Sequence, residues 1–569
     1  MYPNPSTALA AVVVDELVRA GVGLVSVSPG SRSTAVVLEA ARREELSVVV
    51  VIDERSAGFH ALGWAKTAGR PAAVVTTSGT AAANLYPAII EADASGTPLV
   101  AVTCDRPPEA RDAGVNQTIR QPGIYGSFVR DAIELGPAEV DPHAPRWWRS
   151  RVAQALSASQ GFAARPGPVQ LNLAFREPTV PVSDDGRTKS QPYSHVVAGR
   201  DDGRPWTEAT WDRGVDMATL GRVVAMIETV ERGLIIAGGG CMGSEEVLEL
   251  GRRLGWPVVA TAESGLRRLD GVVAAGHHLL ASPRAQPDLV LRFGSPGPSR
   301  RVVDLISSEV YQVVVAPTWS DPARVADLMI PSGIASTAGA LARGISPGRP
   351  NEWVRWWQEA DRTVRSALSA EMEGPVTEPA VVAALGSFGA DRVAVASSMP
   401  IRDVEMYGFD CPTVVSNRGA SGIDGFVSTA LGMAGAAGAP VALTGDLSLL
   451  HDVNGFLCEP RPDCVFVVVD NQGGGIFSFL PHVEHAGPDF ERLFATPPNR
   501  DLARLADWHG LGFQKVEDSG DLVPAVMAAR AAGGCRMVVV ETDRSENVEV
   551  HRRLDVVAAR ALTADSHLY

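Results

Sequence analysis

Between Leu443 and Pro481 the chain reads LTGDLSLLHDVNGFLCEPRPDCVFVVVDNQGGGIFSFLP. An apolar run, Val441 to Thr444, stops at Gly445-Asp446, and a helix-like segment follows. A second apolar run, Cys464 to Val469, stops at Asp470-Asn471-Gln472-Gly473. Read as neighbouring parallel strands, these runs put Asp446 and Asn471 side by side at their C-terminal ends, where open α/β sheets bind ligands. The Asp carboxylate, the Asn amide oxygen and a backbone carbonyl left exposed by the tight glycines form a partial set of hard oxygens. A divalent cation held on a phosphate ester needs such a set, with phosphate oxygens filling the rest. Gly445 lets the backbone come close to the phosphates, and the N–H groups of Leu447 and Ser448 at the helix start can cradle them.

The chain has 569 residues, 45% apolar and 21% charged, the balance of a globular protein of several domains. Its net charge of −15 argues against nucleic acid or an anionic membrane as partner. Local arginine clusters can still take small anions. The six cysteines form no CxxC pair and read as reduced thiols. The start, MYPNPSTALA, has no basic segment ahead of an apolar one, so it is not read as a signal peptide, and no run is read as membrane-spanning. A cytoplasmic enzyme is expected.

From residue 1 to 182, strand-like runs (Leu24–Ser28, Ser47–Ile52, Ala72–Thr77, Leu99–Thr103) alternate with helix-like ones (Ser33–Arg43, Glu54–Lys66, Thr80–Ala92). Alternation of this kind means a parallel sheet with right-handed crossovers. Each strand ends in polar residues: Ser28 to Ser33 with Ser31 and Arg32, Asp53-Glu54-Arg55, Ser78-Gly79-Thr80, and Asp105-Arg106. Water at strand ends accounts for the polarity, but not for one acid, Glu54, set between VVVVI and an apolar helix. A helix-start carboxylate favoured by the dipole is its bland reading.

Ser183 to Pro205 reads as a linker. Beyond it, residues 200–372 form a middle block in which Leu234–Ala237 is followed by GGGCMG, a formal GxGxxG, with Glu263 another 20 residues on. That pattern spells a dinucleotide site in the right context and a bare glycine-rich turn otherwise. Arg300 and Arg301 follow another strand end, and Trp353–Met372 reads as a helix whose tryptophans suit core packing. The block 376–569 repeats the strand pattern at Val393–Ser397, Thr413–Ser416, Val441–Thr444, Cys464–Val469 and Met537–Glu541. Its strand ends carry Ser398 and Arg402, then Asn417 and Arg418, then Gly445 and Asp446, then Asn471 and Gly473. Ile476, Phe477 and Leu480 offer an apolar wall, and the tail after Leu554 reads as a surface helix with a loose end. His60 and His451 are read as structural. The fold class is therefore α/β, with three doubly wound parallel-sheet domains.

The 443–481 stretch resembles the thiamine-diphosphate (ThDP) motif, a Gly-Asp followed by an Asn-containing turn, here 25 residues on. Leu447 and Asp470 depart from it where many members have Gly and Asn, and neither change removes a ligand. The resemblance extends to SPGSRST (28–34), DERSAGFHALGWAK (53–66), TTSGTAAANLYPAI (76–89), DRPPE (105–109), NQTIRQ (116–121), SNRGASGIDG (416–425), GDLSLLHDVNG (445–455) and NQGGGIFSFLP (471–481). Together these resemble the 2-succinyl-5-enolpyruvyl-6-hydroxy-3-cyclohexene-1-carboxylate synthase (MenD) family of menaquinone biosynthesis. The resemblance implies a pyrimidine-binding domain at 1–182, a Rossmann-like domain at 200–372 and a diphosphate-binding domain at 376–569, in homodimers or dimers of dimers with shared active sites.

It also implies ThDP-dependent decarboxylation of 2-oxoglutarate and Stetter-type addition of the succinyl carbanion equivalent to isochorismate. Glu54 would hold the aminopyrimidine in its reactive tautomer. Asp446, Asn471 and the Gly473 carbonyl would bind Mg2+ or Mn2+. Ser78, Gly79, Thr80, Gly445, Leu447 and Ser448 would touch the cofactor, with Ile423 or Ile476 as the apolar prop between its rings. Ser31, Arg32, Arg106, Gln117, Ser398, Arg402 and Arg418 would meet the two dicarboxylate substrates, since a guanidinium fork binds carboxylates bidentately. Arg300 and Arg301 stand where the family has a Lys-Arg pair; Phe477 and Leu480 would cover the reacting carbon. The alternative is another ThDP-dependent 2-oxoacid decarboxylase or an acetohydroxyacid synthase-like enzyme.

Overall fold

A computed structural model describes residues 4–138, 143–162, 164–181, 197–210, 214–348, 351–438 and 440–564. Most of the expected linker, 183–196, lies outside the described residues. Two compact units emerge. One comprises Met1–Trp211, Asn417–Gly438 and Ser448–Asp463; the other comprises Asp212–Ser416, Ala439–Leu447 and Cys464–Tyr569.

The first unit is built on a seven-stranded sheet. Its order is Cys458–Glu459, Ser47–Val51, Leu24–Val27, Ala72–Thr76, Leu99–Asp105, Val169–Ala174, Ala132–Leu135. All neighbours are parallel except the first, where Cys458–Glu459 runs antiparallel to Ser47–Val51. The expected purely parallel sheet thus gains a two-residue antiparallel edge. Valines and leucines such as Val25, Val75, Val102 and Leu171 fill the core beneath the helix Pro5–Arg19. The expected single helix Thr80–Ala92 is two, Thr80–Asn84 and Tyr86–Ser95, because Pro87 suits only a first turn.

The helices Glu54–Ala68 and Phe426–Ala437 lie in near-backbone contact. A Cβ on Gly63 would sit 2.1 Å from the Thr429 carbonyl oxygen, and one on Gly432 would sit 2.0 Å from that of His60. Only glycine permits this approach.

The second unit holds two six-stranded, wholly parallel sheets. The middle one runs Leu328–Pro331, Tyr311–Ala316, Leu289–Phe293, Gly233–Ala237, Val258–Ala260, Val272–Val273. The last runs Thr413–Val415, Arg392–Val395, Val441–Gly445, Cys464–Asp470, Cys535–Glu541, Gly512–Val516. Numbered by chain order within each sheet, the last sheet and the parallel part of the first share one order, 2-1-3-4-6-5; the middle one is 3-2-1-4-5-6. Each order reverses between strand 1 and the higher-numbered of its two neighbours, the shared order turning back again at its 6-5 edge, and the strand ends flanking that first reversal point form a crevice.

In the middle sheet that crevice is closed by its own loops. Gly239 bridges to Ser295, and a Cβ on Gly238 would lie 1.5 Å from the Ser295 carbonyl oxygen. The next helix, Glu246–Leu254, opens with Glu246 and Glu249, which disfavour a pyrophosphate at its start. The glycines there serve loop packing, which favours the bare-turn reading.

The tail differs from expectation. A helix spans Arg544–Ala564, and Leu554 and Ala558 are buried in the core with Val550, so it is an amphipathic core helix.

Candidate active site

In the last sheet, Val441–Gly445 and Cys464–Asp470 pair in register, Gly445 opposite Val469. Asp446 and Asn471 therefore project from adjacent strand ends, both buried. The Leu447 N–H donates to Asp446 Oδ1 at 2.8 Å, while Oδ2 has no partner among the described residues. Asn471 Nδ2 donates to Glu378 Oε1 at 2.9 Å, leaving its Oδ1 equally unpartnered. Burial pushes the Asp446 carboxyl up to about 7; the Leu447 N–H opposes this and Asp470 adds to it. Two buried acceptor oxygens without donors, one in a carboxyl whose charge is destabilised, are what a hard divalent cation would satisfy. The donor set fits the expected metal.

Gly473 has φ +137°, and a Cβ there would sit 2.2 Å from the Ala495 carbonyl oxygen. That carbonyl also accepts the Gly474 N–H at 2.7 Å, clamping the turn. The 3-10 turn Gly475–Phe479 then presents Ile476 and Phe477, both half-buried, with Phe477 edge-on to Phe494; Leu480 follows, exposed.

Across the reversal point of the same sheet, Ser398 ends the loop after Arg392–Val395. It holds φ 75° and ψ −129°, a strained conformation for a residue with a side chain. Arg402, one turn into the helix, donates to the Ser398 carbonyl at 2.5 Å. Arg300 is largely exposed and paired with Asp304 at 2.9 Å. Arg301 donates to the carbonyls of His277 and His278 and lies 3.6 Å from Asp555.

In the first unit the expected residues gather at the C-terminal edge of the seven-stranded sheet. Gln117 donates to the Ser78 carbonyl at 3.1 Å and, like Ser398, has a positive φ, 55°. Gly79 donates its N–H to Gln121. Arg32 is buried; its guanidinium meets the Phe175 carbonyl and, at 3.0 Å, Glu177. Burial first, then the charge of Arg106, lowers its pKa. Glu177 is the anion that offsets the two positive charges at Arg32. Arg106 Nε is itself buried with no partner among the described residues. Ser31 and Thr80 are exposed. Glu54 opens its helix, half-buried, and takes a hydrogen bond from Asn84 at 3.3 Å.

The loop carrying Arg418 and Ile423, both half-buried, also belongs to the first unit. Glu91 holds it, accepting the N–H groups of Gly419 (3.0 Å) and Ala420 (2.6 Å), with Lys66 at 2.6 Å. Ser448 is buried in the same unit, and Leu447 precedes it in the second. His60 is buried against Ser26, and burial drives its pKa down to about 4, so it stays neutral, as its structural reading requires. Sequence reasoning missed Asn84, Gln121, Glu91 and Glu378. Asn84 and Gln121 lay inside quoted motifs without being singled out; Glu91 and Glu378 carry no local signal.

Two sheets of one strand order, the second ending in a pair of hard oxygens, fit the fold of a ThDP-dependent enzyme. Residues 7–124 match the model of the thiamine pyrophosphate enzyme N-terminal TPP binding domain. Over 98% of its length the chain is 40% identical to the 2-succinyl-5-enolpyruvyl-6-hydroxy-3-cyclohexene-1-carboxylate synthase of Thermobifida fusca, covering all of that protein. It is likewise 40% identical, over 98% of its length and all of the relative, to the synthase of the same name from Saccharopolyspora erythraea. To that of Haloarcula marismortui it is 36% identical over 99% of the chain and 100% of the relative. The chain belongs to the 2-succinyl-5-enolpyruvyl-6-hydroxy-3-cyclohexene-1-carboxylate synthase family.

Proposed function

We propose that this chain decarboxylates 2-oxoglutarate and joins the remaining succinyl unit to isochorismate, giving 2-succinyl-5-enolpyruvyl-6-hydroxy-3-cyclohexene-1-carboxylate. The observation that carries the site assignment is the pair of buried oxygens on Asp446 and Asn471, at neighbouring strand ends, without a donor among the described residues. ThDP, when bound, supplies a thiazolium carbon that takes up a 2-oxo acid and accepts the electron pair released with CO2.

The chain's own residues do the rest. Asp446, Asn471 and the Gly473 carbonyl would hold Mg2+ or Mn2+ and, with Gly445, Leu447 and Ser448, the diphosphate. Ser78, Gly79 and Thr80 serve the pyrimidine end, where Glu54 exchanges a proton with the ring nitrogen, and Asn84 keeps that carboxylate aimed. Ile423 and Ile476 are the apolar candidates for the prop. Arg32, Arg106, Arg402 and Arg418 would supply the forks for the substrate carboxylates, and Ser31, Gln117 and Ser398 would orient the bound groups. Phe477 and Leu480 would help keep water from the reacting carbon. Arg300 and Arg301 are the weakest members, given the partners they already have. The domain limits 1–182, 200–372 and 376–569 and a homodimer, alone or paired, complete the proposal. No described helix is long and apolar enough to cross a membrane.

Mass spectrometry of the product from isochorismate, 2-oxoglutarate, ThDP and Mg2+ tests this. The expected product has the summed mass of both substrates less CO2. Release of CO2 from pyruvate in preference to 2-oxoglutarate, with isochorismate left intact, would instead identify a decarboxylase or an acetohydroxyacid synthase-like enzyme.

A further inference from the structure

Asn471 raises a question of orientation. A side-chain amide is nearly symmetric in shape, but only its oxygen can bind a cation. What fixes the amide is whatever its other end meets.

Here that is Glu378, the first residue of the helix Glu378–Ala383, buried and 93 positions from Asn471. Its Oε1 accepts Asn471 Nδ2 at 2.9 Å and the Thr542 hydroxyl at 3.1 Å. Turning the amide over would press Asn471 Oδ1 against the same carboxylate oxygen, replacing an attraction with a repulsion. We infer that Glu378 is a positioning residue for the metal site: it locks the Asn471 amide so that Oδ1, left without a donor among the described residues, faces the cation. This rests on the metal-site reading above. Metal ligands commonly depend on such outer partners for their aim.

Glu378 also lines a cavity of about 210 Å³, together with Thr377, Thr542, Asp543 and Asn547. Water there can hydrate the carboxylate. It can also refill the space left by a shorter side chain, so substitution at 378 does not require the helix to collapse.

The test is a titration of Mn2+ in the presence of ThDP, followed by the paramagnetic resonance of free Mn2+, which needs no turnover. Glu378→Leu and Glu378→Ala, which offer no acceptor, should weaken Mn2+ binding by about 10- to 100-fold. Glu378→Gln can still accept from Asn471 through its own carbonyl and should stay within about threefold of wild type. In an Asn471→Ala background, Glu378→Leu should have no further effect, because Glu378 acts only through that amide. Whichever of the Leu and Ala variants keeps its circular dichroism spectrum is the one read, and Glu378→Gln is read beside it. Wild-type affinity in that variant, loss of affinity in Glu378→Gln as large as in Glu378→Leu, or an undiminished effect in the Asn471→Ala background would overturn the inference. Asp446→Ala is the control: if it binds Mn2+ like wild type, the metal-site reading fails, and not merely the role of Glu378.

Discussion

At the scale of single residues, the groups legible in sequence are those that end apolar runs. Asp446, Asn471 and Glu54 each interrupt a strand-helix junction, so chemistry and position could be read together. Glu378, Glu91 and Asn84 could not, because their partners lie elsewhere in the chain: Glu378 reaches Asn471, and Glu91 reaches the backbone at Gly419 and Ala420. Glu54→Gln keeps the size and the hydrogen bond to Asn84 but cannot exchange a proton. Turnover should fall by at least about 10²-fold while ThDP–Mg2+ still binds, measured by rate and by cofactor titration side by side. Asp446→Ala should do the reverse, losing cofactor affinity first. Ser398 invites a different change. Its φ of 75° costs on the order of 1–3 kcal/mol for a residue with a side chain. Ser398→Gly should therefore raise the thermal midpoint while raising the KM for substrate. A lower midpoint would show that the conformation carries no strain.

Among the elements, those that alternate cleanly were readable and those with polar interiors were not. Val169–Ala174 is fully buried, yet carries Gln170 and Asn172, which are satisfied inside by Thr103, Gln121 and Asp105. The alternation of VQLNLA reads locally as a strand with one wet face; burial of both faces is not legible, because the partners that satisfy Gln170 and Asn172 lie far away in the chain. The helix Arg544–Ala564 was misjudged for a related reason. Its inner face mixes Val550 and Leu554 with Asn547 and His551, and His551 Nε2 meets Asp403 at 2.9 Å. Burial lowers the His551 pKa, but the charge and hydrogen bond of Asp403, the Asn547 carbonyl and the charge of Glu378 outweigh it, and the net shift is upward. Tyr407 and Phe479 close the site edge-on. With the folded pKa above the unfolded one, the stability this pair gives is fully present below about pH 6.5. It is lost as pH rises through the folded value. Thermal midpoints should fall across that window in the wild type. In His551→Gln that component should vanish, with the midpoint already low at pH 6. An unchanged pH profile in the variant would remove the pair from the account.

For the molecule as a whole, the informative fact is that two sheets, one in each compact unit, share the order 2-1-3-4-6-5. A repeated fold in one chain lets a dimer place unlike halves of two protomers together twice, by symmetry. The proposed site needs this, with Glu54 of one protomer serving the cofactor held by Asp446 of its mate. The proposal predicts complementation between inactive variants. Glu54→Gln and Asp446→Ala protomers, mixed in equal amounts and allowed to exchange, form hybrids in half of all dimers. Each hybrid has one site carrying both lesions and one carrying neither. Activity should recover to about a quarter of wild type, from none in either parent. If each site were built within a single chain, every site of the hybrid would keep one lesion and the mixture would stay inactive. A rate assay on the mixture, with size-exclusion chromatography to show that exchange occurred, separates the two arrangements.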